Sequence, residues 1–119
     1  MAHETTMSLT PSIVDPGAIE RESFKIIDAE AGEHGFDTRQ WPVVRRVIHT
    51  TADFDFMGTT CFSPEAIDSA LAALKNGAKI CCDTNMVLAG VSKERLRRLG
   101  GCIACHVADP GFAWTAKAE

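Results

Sequence analysis

The sequence predicts an α/β fold with parallel layering, and three observations carry that reading. Two short apolar runs, "KICC" at 79–82 and "CIAC" at 102–105, lack the polar alternation of a half-exposed strand, as strands of a parallel sheet do. Helical patterns precede, separate and follow them, so the second half reads helix–strand–helix–strand–helix. The chain of 119 residues is long enough for one domain with a real core, and no repeat divides it. The expected organisation is a loose polar arm over 1–16 and an α/β domain over 17–119.

The first helix starts at Gly17, with Ile19, Ser23, Ile26, Ile27 and Glu30 on one face. "HGFD" ends it, with Gly35 suited to a left-handed cap. A second helix follows, capped by Asp37 or Thr38 and with Pro42 tolerable near its start. Val43, Val44, Val47, Ile48 and Thr51 form its buried stripe. "FSPEAIDSALAALKNGA" is the clearest helix, with Ser63 as cap, Pro64 at the first helical position and Asn76-Gly77 as the stop. Its stripe is Ile67, Ala70, Leu71 and Leu74. After the strand "KICCD" come a helical turn, "TNMVLAG", and the helix "SKERLRRLGG" with Ser92 as cap. The strand "CIACHV" precedes a last helix capped by Asp109.

Composition excludes several classes. A net charge of −4 gives no general attraction to nucleic acid or anionic lipid, so an anionic ligand must be met by local arginines. No apolar run approaches the about 20 residues that span a bilayer, and the N-terminus lacks a secretory pattern, which implies the cytoplasm. Five cysteines, an odd number, are then expected to be reduced and buried rather than paired.

The candidate chemistry centres on "VVRRVIHTTADFDF". His49 has Arg45, Arg46 and Asp53 as lateral neighbours if the helix persists that far. Such surroundings suit proton transfer near neutrality, although a half-buried histidine bonded to a backbone carbonyl fits the same spacing. Ser23 and Glu30 interrupt the apolar stripe of the first helix; a hydroxyl there commonly bonds back to its own helix. Asp83 closes the strand "KICCD", at the end where open α/β sheets gather ligands, and could equally cap the next helix.

"CIACH" has the spacing of a c-type haem attachment site. In a strand, however, Cys102 and Cys105 point to opposite faces and cannot share one edge of a haem. The same alternation argues against a zinc site using Cys81 or Cys82 with Cys102 and Cys105. "LRRLGG" reads as a solvated helix end, favoured there by the helix dipole.

The blocks "IERESFKIIDAE", "WPVVRRVIHTTADFDF", "FSPEAIDSALAALKNGAKICCDTNMVLAGV" and "CHVADP" closely resemble the precorrin-8X methylmutase (precorrin isomerase) family of cobalamin biosynthesis, from about Pro16 to Glu119. The resemblance implies a flavodoxin-like three-layer sandwich, a homodimer, and transfer of a methyl group from C11 to C12 of a tetrapyrrole. The product is hydrogenobyrinic acid, or cobyrinic acid from the cobalt analogue. The family's acid–base histidine falls on His49, and its substrate-contacting serine and arginine on Ser23 and Arg46. Arg45 would join Arg46 in gripping the carboxylate rim, and Asp83, Met86 and Ser92 match positions near the same pocket. No metal and no other cofactor is implied.

Family members are longer. Their "T-R" motif, "G-N-A-P-T-A-L" loop and Gly-rich C-terminal segment have no counterpart before Glu119. The expectation is therefore a truncated methylmutase or a shortened relative, poorly active alone and prone to associate through exposed sheet edges. A non-catalytic tetrapyrrole-binding module is the alternative, and a haem or metal carrier built on "CIACH" the remote one.

Overall fold

The structure, a computed structural model, describes residues 15–111. Nearly all of the arm read over 1–16, and all but the start of the last helix, lie outside the described residues. The chain divides into two compact units, with the division after Cys61.

The first unit is helical. Helix α1 spans Pro16–Ala31; Asp15 caps it by accepting from the Gly17 amide, and Pro16 occupies the first turn, where a missing N–H costs nothing. It ends at Gly32, not at Gly35 as the sequence suggested. Gly32 takes φ 62° and ψ −142°, a conformation closed to side-chain-bearing residues, and it comes three residues before Gly35.

Helix α2 spans Trp41–Thr51 and follows a turn closed by reciprocal bonds between Asp37 and Gln40. Asp37 Oδ1 accepts from the Gln40 amide at 2.8 Å, while Gln40 Oε1 accepts from the Asp37 amide at 3.2 Å. Pro42 sits in its first turn. The helix stops at Ala52, whose φ of 54° is left-handed, so Asp53 lies beyond it. A single turn, α3 (Phe56–Thr59), follows.

The helices pack through Ile27 of α1 and Val44 and Ile48 of α2, all buried. Of the predicted stripes only these positions are fully covered; Ile19, Ile26 and Val43 stay largely exposed because the stripe of each helix is wider than the partner that meets it.

The second unit carries the sheet. Helix α4 (Ala66–Lys75) begins later than expected, because Ser63-Pro64 forms a turn before it, with Ser63 offering its backbone carbonyl to Ala66. Strand β1 (Lys79–Cys82) is followed by α5 (Asn85–Gly90), α6 (Lys93–Arg98) and strand β2 (Cys102–Cys105). β1 and β2 pair in parallel, with Lys79 opposite Cys102 and Cys82 opposite Cys105. This is the α/β layering the sequence predicts.

Thr84, not Asp83, caps α5, its hydroxyl accepting from the Val87 amide. Ser92 caps α6 as expected. Lys93 Nζ donates to the Leu88 carbonyl at 2.7 Å, covering one of the open acceptors at the end of α5. Leu96 is the buried anchor of α6, and Gly101 lets the start of β2 lie against it: a Cβ at that glycine would come within 2.7 Å of Leu96 Cδ1.

None of the cysteines is buried, which corrects the expectation of core thiols. Cys81 and Cys102 fall with Lys79 on one face of a two-stranded sheet and stay exposed. Cys82 and Cys105 share the other face, where Ile80 and Ile103 also lie, and are partly covered.

Candidate functional site

Helix α1 turns two adjacent flanks toward α2. One carries Ser23, Ile27 and Glu30, and the other carries Glu20, Phe24 and Asp28 at intervals of four. His49, in the last turn of α2, meets both.

On the first flank lies an apolar cleft of about 350 Å³. Ser23, Ile27 and Glu30 of α1, Ile48 and His49 of α2, and Phe54 beyond it line its walls. The volume sits at the small end of the range for ligand pockets, and the three polar groups on an otherwise apolar wall are the usual composition of such sites. His49 is half-buried there. It stands in the last turn of α2, beside the carbonyls that end the helix.

On the second flank, the Phe24 ring faces the arginines. The guanidinium carbons of Arg45 and Arg46 lie 4.5 Å and 4.8 Å from its centroid. Each guanidinium also reaches a carboxylate of α1: Arg45 Nη1 meets Asp28 Oδ2, and Arg46 Nη2 meets Glu20 Oε1, both at 2.9 Å. Asp28 accepts a further bond from Trp41 Nε1 at 2.8 Å. Trp41 is in turn stacked on His34, ring centroids 3.9 Å apart.

The sequence reading is thus met in part. Ser23 and His49 come together on one cleft, and Glu30 joins them. Arg45 and Arg46 stand beside His49 through Phe24 but do not line this cleft. Asp53 is not a helical neighbour of His49, because α2 ends first; its carboxylate accepts from the Asp55 amide instead. Among the described residues the His49 imidazole has no backbone carbonyl as partner; its ring meets that of Phe24, edge to face at 5.2 Å.

Sequence reasoning missed Phe24, Glu20 and Asp28. The signal was there, an aromatic flanked at four residues by two acids, opposite an "RR" pair on the following helix.

Asp83, Met86 and Ser92 belong to the second unit. Asp83 is exposed just past β1, Met86 is 81% exposed on α5, and the Ser92 hydroxyl is engaged as a helix cap. Among the described residues, no group of three or more His, Cys, Asp or Glu side chains could hold a metal ion, and no helix is long and apolar enough to cross a membrane. "CIAC" lies in strand β2 with both thiols free, an arrangement that cannot present two cysteines to one haem edge.

Known proteins resemble this chain over most of its length. The family model described as precorrin-8X methylmutase matches residues 18–119. A cobalt-precorrin-8 methylmutase of Leptospira interrogans is 48% identical over 99 residues, covering 83% of this chain and 45% of the relative. A precorrin-8X methylmutase of a Sinorhizobium species is 39% identical, covering 82% of this chain and 46% of the relative. The crystal structure of the precorrin-8X methylmutase from Thermus thermophilus superposes with a TM-score of 0.78 at 47% identity, over 86% of this chain and 50% of that one. The chain therefore spans about half the length of the relatives it matches. By the family match along its length and the similarity of its fold, the chain belongs to the precorrin-8X methylmutase family.

Proposed function

We propose that this chain serves the isomerisation of precorrin-8X, in which a methyl group moves from C11 to C12 to give hydrogenobyrinic acid, or the equivalent step on the cobalt-containing substrate to give cobyrinic acid. The observation that supports this most is the cleft. A chain of this family sets an imidazole and a hydroxyl on an apolar wall, with two arginines one ring away.

A methyl shift between neighbouring ring carbons involves no net oxidation or reduction. What a protein can add is a proton. Protonating the macrocycle withdraws electron density from the carbon framework and lowers the barrier to migration. His49 is the group for that task, giving the proton as the methyl moves and taking it back afterwards. The apolar wall of Ile27, Ile48 and Phe54 would meet the ring face, and Ser23 would hold a polar edge.

The substrate is fringed with carboxylates, and Arg46, 51% exposed, is the arginine with freedom to exchange Glu20 for one of them. Arg45, held more deeply, supports it. Asp83, Met86 and Ser92 are further substrate contacts in this reading. The same reading makes the architecture a flavodoxin-like three-layer sandwich, the working unit a homodimer and the compartment the cytoplasm.

The test is incubation of the chain with precorrin-8X, following the absorption change to hydrogenobyrinic acid, with His49→Ala alongside. The expected result is that His49→Ala still binds the pigment but converts it about 100-fold more slowly or worse. Conversion by His49→Ala at the parent rate would remove the histidine from the mechanism. Binding without conversion by the parent chain would instead favour a tetrapyrrole-binding module.

A further inference from the structure

Three side chains of α2 converge on one ring of α1. His49 lies against Phe24 with its ring tilted 67° and the centroids 5.2 Å apart, while the guanidinium carbons of Arg45 and Arg46 lie 4.5 Å and 4.8 Å from the same centroid. Consecutive residues of a helix point about 100° apart, so neighbouring arginines do not reach one ring unless something gathers them. The gathering is visible on α1. Glu20 and Asp28, four residues to either side of Phe24, hold Arg46 and Arg45 respectively. The negative face of the ring attracts each cation between those anchors. Phe24 is absent from the cleft wall, whereas His49 belongs to it. The imidazole therefore touches the cleft and the ring at once.

We propose that Phe24 is a positioning residue for His49, a role that rests on the acid–base reading of that histidine. A terminal sp³–sp² torsion such as that of an imidazole is broad, so the imidazole needs a neighbour to fix its plane. Phe24 supplies one, and it holds both guanidinium groups so that neither moves into the space of the imidazole. A proton donor set in this way delivers to one point of the macrocycle; one that swivels does not.

The experiment compares Phe24→Leu, which keeps apolar bulk without a ring, with Phe24→Tyr, which keeps the ring. Far-UV circular dichroism and the thermal midpoint establish that each variant is folded. Histidine-labelled protein is then studied by NMR, the His49 signals being identified by their loss in His49→Gln from among those of His3, His34, His49 and His106. In the parent chain the imidazole protons of His49 are expected to be displaced by the ring current of Phe24, 5.2 Å away. The displacement is expected to vanish in Phe24→Leu and to persist in Phe24→Tyr. In the precorrin-8X assay Phe24→Leu is expected to lower kcat about tenfold or more, since small misplacements of a reacting group carry large rate penalties. KM should stay within about threefold, and Phe24→Tyr should restore kcat.

A folded Phe24→Leu protein whose His49 signals do not move overturns the proposal, and so does one whose signals move with kcat intact. Full turnover by His49→Ala would overturn the acid–base reading instead. The resonance comparison needs no turnover and separates the two failures.

Discussion

Arg45 and Arg46 are adjacent in sequence and unlike in surroundings. Arg45 is 25% exposed, with its Nε buried, and it shares Asp28 with the indole of Trp41. Arg46 is 51% exposed and holds a Glu20 that is itself 43% exposed, so water screens the pair. Two predictions follow from that contrast. Asp28→Ala strands both the Arg45 charge and the indole N–H and should cost about 1–3 kcal/mol in urea unfolding. Glu20→Ala should cost less than about 1 kcal/mol by the same measurement. For ligand binding the order reverses: Arg46→Ala should weaken binding of hydrogenobyrinic acid about tenfold with stability nearly unchanged, measured by titration of the pigment absorption. Equal losses of stability from Asp28→Ala and Glu20→Ala would contradict the division between the two arginines. At this scale the sequence was legible where spacing within one helix decides, as for Arg45 four residues before His49. Phe24 went unread despite its flanking acids, because its contact with the arginines crosses from one helix to another.

The helices and strands owe their limits to single residues. Ala52 ends α2 with a left-handed φ that a Cβ disfavours by about 1–2 kcal/mol. Ala52→Gly should therefore raise stability by up to about 1 kcal/mol, the glycine's greater unfolded entropy offsetting part of the gain. Thr84→Ala removes the hydroxyl that accepts from Val87 and should cost about 1 kcal/mol. Gly101→Ala places a methyl 2.7 Å from Leu96 Cδ1 and 3.2 Å from the Ala78 carbonyl, and should cost about 1–3 kcal/mol. Thermal or chemical unfolding of these three variants checks the signs. The cap at Ser92 was readable, because a short polar side chain ahead of a helical run has few other uses, whereas Asp37 closes the turn before α2. The ends expected at Gly35 and Ser63 were displaced. Gly32 offered an earlier exit, and Ser63-Pro64 settled into a turn instead of a first helical turn.

At the scale of the whole molecule, much apolar surface among the described residues remains open. Met86 is 81% exposed, Val107 57%, and Ile19 and Ile26 52% each. Apolar surface of this kind tends to associate. Sedimentation velocity over a range of concentrations is expected to show the chain self-associating, in line with the sequence-based expectation; a monomer at all concentrations that binds no hydrophobic dye would contradict it. The exposed thiols of Cys61, Cys81 and Cys102 are expected to react with a disulfide reagent without denaturant.

The amino-acid order by itself determined the α/β class, the parallel strands at 79–82 and 102–105 and most helix starts. Those features depend on period, capping chemistry and backbone freedom, all of which act over a few residues. Only the tertiary structure decided that the cysteines lie open, that Asp53 leaves the helix before it can flank His49, and that two arginines and a histidine meet on Phe24. Those outcomes depend on which faces of separate elements come to touch, a choice made by packing between residues far apart in the chain.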